Sequence, residues 1–224
     1  MEAKEKASKK MINLKKSVIK TSGSLAKRLD FIILHKKELC IISNNCWGNK
    51  LYEIVNREYN TPFVGLFLQS GDYIKFIKNI EHNISIEITE NHFNTFSQAY
   101  PIANIEGCTI HFLHYKDKNE AIEKWNRRRI RLINYIKDNG VNSLIFKLCD
   151  TYCEKHDAAK NEAEFNALPF ERKIFFTTGR ENKILNDGER NLNGPDFFKG
   201  RILYYKDYLK LFSNLPSLKK NRIT

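Results

Sequence analysis

Asn44, Asn45, Cys46, Trp47 and Gly48 stand together in the stretch CIISNNCWGNKLYEIV, where an apolar run ends and a helix-like pattern begins. These residue types suit a turn that binds or reacts. The two amides donate and accept at once, which matches a hydroxyl-rich ligand. A thiol becomes a nucleophile once deprotonated, and the exposed N–H groups at a helix start favour its thiolate. The same N–H groups suit a phosphate, with Gly48 allowing close backbone approach. A plainer account buries Cys46 and Trp47 and leaves the asparagines to close the turn.

Other polar residues follow apolar runs further along the chain. His114 and Asp150 are candidates for the general base of an acceptor hydroxyl, and Cys46, His114 and Asp150 can be drawn as a nucleophile–base–acid set. Asp72, Tyr115 and Thr178 are candidate substrate contacts, with Thr177 and Arg180 close by in sequence. His111 and His114 sit at odd spacing in HFLHY and so point to opposite sides of a strand. They are not expected to share a metal, and His111 reads as a satisfied, half-buried histidine. Cys149, Cys153 and His156 have helical spacing, but Cys149 falls in a strand and a fourth ligand is missing, so no metal site is expected. In EAIEKWNRRRIRLINYI, Ile122, Trp125, Leu132, Ile133 and Ile136 form a core stripe. Arg127, Arg128 and Arg131 then face outward or toward the sheet edge, as a solvated face or as a pyrophosphate clamp.

Elements must carry these groups. LCIIS, PFVGLFL, CTIHFLHY, SLIFKLC and KIFFTT read as strands. NKLYEIVNREY, GDYIKFIKNIEH, NEAIEKWNRRRIRLINYI and EKHDAAKNEAEFNAL read as the helices between them. Almost wholly apolar strands alternating with helices predict an α/β fold: a mainly parallel sheet with helices on both faces, in a Rossmann-like three-layer architecture. In such a sheet every strand delivers its C-terminal end to one edge, where ligands bind. Asn44–Gly48, Asp72, His114 with Tyr115, Asp150 and Thr178 are all expected there. The domain is expected over 30–216. A basic N-terminal helix or arm (1–29) precedes it, with Met11, Leu14, Val18 and Leu25 at helical spacing, and a basic tail (217–224) follows. Residues 179–200 read as a long Gly- and Asn-rich loop.

The formal net charge of +12 is concentrated at 4–28, in KWNRRRIRL and in the tail. It favours phosphorylated small molecules, polyanions or an anionic membrane face. The N-terminal helix packs on its own domain or lies on such a surface. Zinc-finger spacing, RNP-like aromatics and a helix-turn-helix pattern are missing, so nucleic acid is not an expected partner. With 42% hydrophobic and 29% charged residues the composition is globular rather than disordered. No apolar run is long enough to span a bilayer and no secretory signal is recognisable. The five cysteines are therefore expected as reduced thiols. The expected location is cytoplasmic, with peripheral attachment to the inner face of the membrane as an option. Gly-x-Gly-x-x-Gly, phosphate-loop, Gly-x-Ser-x-Gly, His-Glu-x-x-His and Asp-x-Asp fingerprints do not occur.

IISNNCWGNKLYE, YNTPFVGLFLQSGDYIKFIKNI, YPIANIEGCTIHFLHY, EAIEKWNRRRIRLI and LPFERKIFFTT follow one another in order. In that combination the chain resembles, over about 39–212, an uncharacterised bacterial family, a domain of unknown function often labelled exopolysaccharide biosynthesis protein. Asn49 departs from the pattern, which has a second glycine after Gly48. The resemblance implies an α/β fold and a role near surface-glycan assembly. Together with the residues it leads to an expected transferase using a phosphorylated or nucleotide-linked donor, such as a nucleotide sugar, and a small-molecule or glycan acceptor. In that reading Asn44, Asn45, Trp47 and the Gly48 backbone hold donor or sugar, and the arginines neutralise phosphate. The alternatives are a Cys46-dependent acyl transferase or hydrolase, and a glycan- or phosphate-binding accessory protein without chemistry.

Overall fold

The computed structural model describes residues 28–29, 31–46, 48–93, 99–149, 158–176, 215 and 217. Expectations placed on Trp47, Asp150, Cys153, His156, Thr177, Thr178, Arg180, the 179–200 loop, the arm before 28 and the tail after 217 lie outside the described residues. The helix α1 is described at 28–29 and 31–34. It is followed by β1 (Ile41–Ser43), α2 (Asn49–Ile54), α3 (Ser70–Lys78) and α4 (Ile80–Ser85). Next come β2 (Ile102–Ile105), β3 (Cys108–His111) and α5 (Lys118–Asn139). The last elements are β4 (Ile145–Cys149), α6 (Ala158–Ala167) and β5 (Lys173–Phe176).

β1, β4 and β5 form a parallel sheet in the order β1-β4-β5, with Ile41 opposite Ile145 and Cys149 opposite Phe176. Alternation along the strands feeds two cores. Cys40, Ile42, Phe146 and Leu148 join Trp125, Phe165 and the buried side of α3 on one face. Ile41, Ile145, Cys149 and Ile174 meet Leu34, Leu51 and Tyr52 on the other. Both faces are therefore covered, and the domain is a mixed α/β one with a largely parallel, helix-flanked sheet in a Rossmann-like arrangement.

Two expected strands depart from that scheme. CTIHFLHY is not a member of the parallel sheet: β3 is the second arm of an antiparallel hairpin with β2, and it ends at His111. Glu106 and Gly107 form its two-residue turn with φ of 51° and 71°, and Asn104 Oδ1 accepts from the Gly107 amide at 2.9 Å. Positive φ at both central residues matches the right-handed twist of the flanking strands. PFVGLFL is largely buried but is no ladder strand, for the Val64 amide bonds back to the Pro62 carbonyl at 2.8 Å and Gly65 turns the chain at φ 74°. It still links the two sheets. Phe67 exchanges both backbone bonds with His111, at 2.8 and 2.9 Å, and the Leu68 amide donates to the Asn44 carbonyl at 2.9 Å.

The helix expected over 71–82 is two, α3 and α4, separated at Asn79. In α5 the expected stripe is confirmed by Trp125 and Leu132, each wholly buried, with Ile122, Ile133 and Ile136 packed against the same core. Asp117 caps it by accepting from the Glu120 amide at 2.9 Å, and Glu120 returns a bond from the Lys116 amide at 2.6 Å. No helix among the described residues is long and apolar enough to cross a membrane.

Candidate functional site

Asn44 is wholly buried and locks the edge where β1 and β4 end. Its Oδ1 accepts from the Cys149 amide at 2.8 Å, and its Nδ2 donates to the carbonyls of Cys149 and Leu68 at 2.9 and 3.3 Å. The amide expected to hold sugar is spent on three backbone groups of its own chain. Asn45 points elsewhere: its Oδ1 accepts from Ser43 Oγ at 3.1 Å and from Lys147 Nζ at 2.6 Å. Lys147 lies mid-strand in β4, opposite Ser43, with none of its surface exposed. A buried ammonium is costly unless polar groups receive it, and Asn45 is one such group.

Gly48 is required for an internal reason. Its φ is 93°, and a Cβ there would lie 2.7 Å from the Ile41 side chain. The close approach expected for a phosphate is thus made by Ile41. The helix that follows, α2, has only six residues, so little macrodipole acts on Cys46. Cys46 is partly exposed.

Beyond the knot lies a second set. Tyr115 is buried; its hydroxyl donates to the Val64 carbonyl at 2.6 Å and accepts from Arg128 Nη1 at 2.9 Å. Burial pushes its phenol up to about 12 against the pull of Arg128, with the charges of Glu120 and then Cys46 adding to the rise. The Arg128 guanidinium also lies over the Tyr59 ring, 5.1 Å from its centroid. His114 is exposed, and its amide donates to the Gly65 carbonyl at 3.0 Å. Gly65 fits here because a Cβ would sit 3.3 Å from both His114 and Tyr115.

The three candidate arginines separate. Arg127 is paired with Glu123 one turn back. Arg131 meets Glu58 at 2.8 Å and the Tyr59 carbonyl at 3.2 Å. Arg128 is only 9% exposed, and no carboxylate pairs with it among the described residues. Neighbouring Arg129 is structural: it is buried and donates to the carbonyls of Ile84 and Ser85 at 3.4 and 3.0 Å, closing the end of α4.

Asp72 is engaged away from the knot: its carboxylate accepts from the Thr109 amide at 3.0 Å and ties α3 to β3. His111, across from Phe67, is less satisfied than its sequence context predicts. Its Nδ1 is buried without a partner among the described residues, between the rings of Phe67 and Tyr100. Burial lowers its pKa, with Asp72 opposing. His114 does not reach the C-terminal edge on a parallel strand as expected. The chain leaving the separate β2–β3 hairpin sets it against Gly65, three residues before the Leu68 that touches Asn44.

The structure thus brings Tyr115, His114 and Arg128 into one neighbourhood and Asn45 with Lys147 into another beside Cys46. Arg131 adjoins the first through Tyr59 but is paired with Glu58, while Arg127 and Asp72 are engaged by Glu123 and by the Thr109 amide. Lys147 was missed in sequence, although a lone lysine inside LIFKLC is a visible break in an apolar strand.

An α/β domain with a polar knot at the C-terminal edge of a parallel sheet is a frame shared by many ligand-binding and catalytic proteins. The chain belongs to the family described as Domain of unknown function (DUF1919), whose model matches residues 9–187. That match reaches further into the basic N-terminal stretch, and ends earlier, than the resemblance over 39–212. The chain is also 28% identical over 165 residues to a Haemophilus influenzae protein titled "Uncharacterized protein", covering 70% of this chain and 74% of the relative.

Proposed function

We propose that the protein is a transferase of bacterial cell-surface polysaccharide biosynthesis that takes a phosphorylated or nucleotide-linked donor at the knot. The observation that carries this reading is Arg128: a nearly buried guanidinium, fixed by Tyr115 and Tyr59, with no acidic partner among the described residues. A desolvated cation of that kind attracts an anion, and its fork fits phosphate oxygens in a bidentate way. His114 adjoins the same Tyr115–Gly65 corner. His114 is exposed there, so a general base for an acceptor hydroxyl is close at hand. The surface-glycan part of the reading comes from the resemblance set out above.

The test is a thermal-shift and calorimetric screen of nucleoside diphosphate sugars against the wild-type chain and Arg128→Gln. A ligand that binds only the folded state raises its melting temperature. The expected result is a shift with at least one nucleotide sugar that disappears in Arg128→Gln and persists in Arg127→Gln. An equal response of both variants removes Arg128 from the site.

A further inference from the structure

The described residues leave five large hydrophobic side chains exposed, and three of them, Leu29, Phe31 and Ile32, lie in α1 at 38, 45 and 64% exposure. This is a patch rather than scatter. α1 is also fixed from beneath. Leu34 is wholly buried and Ile33 packs on the second core. Arg57 holds its end, donating to the carbonyls of Leu34, His35 and Lys37 at 3.2, 2.6 and 2.5 Å. Phe31 is held against His35, ring on ring, at 4.8 Å. The apolar side chains are thus presented outward on an anchored helix.

The charge beside them selects the partner. Between residues 4 and 28 the sequence has nine lysines and arginines and one acidic residue, and Lys36 and Lys37 follow the patch. A second copy of this chain would bring the same positive charge against itself. An anionic lipid surface answers both features: its headgroups attract the lysines, and its acyl boundary takes up Phe31 and Ile32.

We propose that α1, together with the basic sequence before it, docks the protein on an anionic bilayer, with Phe31 and Ile32 entering the headgroup–acyl boundary. The docking goes beyond the transferase reading and does not depend on Arg128. Two signals, apolar and basic, are what reversible interfacial attachment requires.

The experiment is co-sedimentation of the full chain with phosphatidylglycerol–phosphatidylcholine vesicles and with pure phosphatidylcholine vesicles. It compares wild type, the double variant Phe31→Ser/Ile32→Ser, and a variant with Lys15, Lys16 and Lys20 changed to Gln. Wild type is expected to bind the anionic vesicles only. The serine variant keeps all charges, and its melting temperature is measured alongside because Phe31 stacks on His35; with the fold retained, its apparent Kd should rise about tenfold or more. The glutamine variant should also weaken and lose part of its salt dependence. Absence of vesicle binding by wild type overturns the proposal. So does binding unchanged in the serine variant, which means adsorption by charge alone. A wild-type dimer dissociated by the serine changes without any vesicle binding assigns the patch to a protein interface and equally overturns it.

Discussion

Replacing Asn44 by alanine separates a structural lock from a ligand contact. In the folded chain its side chain makes three hydrogen bonds to backbone groups of Leu68 and Cys149, all out of water. Alanine leaves the Cys149 amide without that acceptor and two carbonyls without those donors. Each buried group left unsatisfied costs about 1–3 kcal/mol, the N–H most surely because it has a single bond to make. With the small cavity added, about 3 kcal/mol is expected. For a chain of this length that lowers the melting temperature by about 6–12 °C. Aspartate keeps the shape but sets a carboxylate against two carbonyl oxygens, so Asn44→Asp should cost more than alanine does. Urea unfolding followed by circular dichroism measures both, and an unchanged slope with a lower midpoint identifies a pure stability effect. If Asn44→Ala costs less than about 1 kcal/mol, or if the apo protein is unaffected while ligand stabilisation disappears, the lock is wrong and Asn44 is a binding residue after all.

Gly48→Ala should cost about 2 kcal/mol or more, combining positive φ with the clash at Ile41; adding Ile41→Val removes Cδ1, the nearest atom at 2.7 Å, but keeps Cγ2 at 3.0 Å, so equilibrium unfolding should show only part of the steric cost recovered. His111 has a folded pKa lowered mainly by burial, so the unfolded chain binds its proton more readily. The resulting stability is present above the unfolded value of about 6.5 and is lost as pH falls through the folded one. His111→Gln should flatten that part of the stability–pH curve, and an unchanged curve would falsify the assignment. Cys46→Ser should leave nucleotide-sugar binding intact, since Arg128 rather than the thiol holds the donor. A collapse of turnover in the serine variant, together with ligand-protected alkylation of Cys46, would instead favour a covalent mechanism.

The parallel sheet was legible because CIIS, LIFKLC and KIFF are apolar on both sides, as doubly covered strands must be. The α5 stripe was legible through its helical period. The hairpin was less so: CTIHFLHY was read as one run, while the turn signal lies upstream in the Glu-Gly of IANIEGCTIH. Glutamate is an unusual residue at positive φ, which weakens that signal. The separation of the arginines was half legible. Glu123 and Arg127 are one turn apart and their pairing follows from helix spacing. Glu58, which engages Arg131, approaches only through the tertiary fold. Lack of such a partner among the described residues singles out Arg128, and no local pattern reports it. The same holds for Asn44, whose neighbours Leu68 and Cys149 are remote in sequence.

The β1-β4 pairing has a consequence for how the chain comes to be folded. Ile41 and Ile145 are about a hundred residues apart, whereas the β2–β3 hairpin closes across two. Bringing distant ends together costs about 3 kcal/mol more in loop entropy than closing the hairpin, and no contact repays it until the strands meet. The hairpin and the long α5 helix are therefore the early structures, and β1 waits. During synthesis on the ribosome, Cys40, Ile41 and Ile42 must stay without their strand partner until β4 has emerged, and before then Asn44 can grip only Leu68 and not Cys149. The knot would be among the last parts of the described fold to set, and a chain stalled before β4 would expose an apolar strand edge to whatever chaperone or neighbour meets it first.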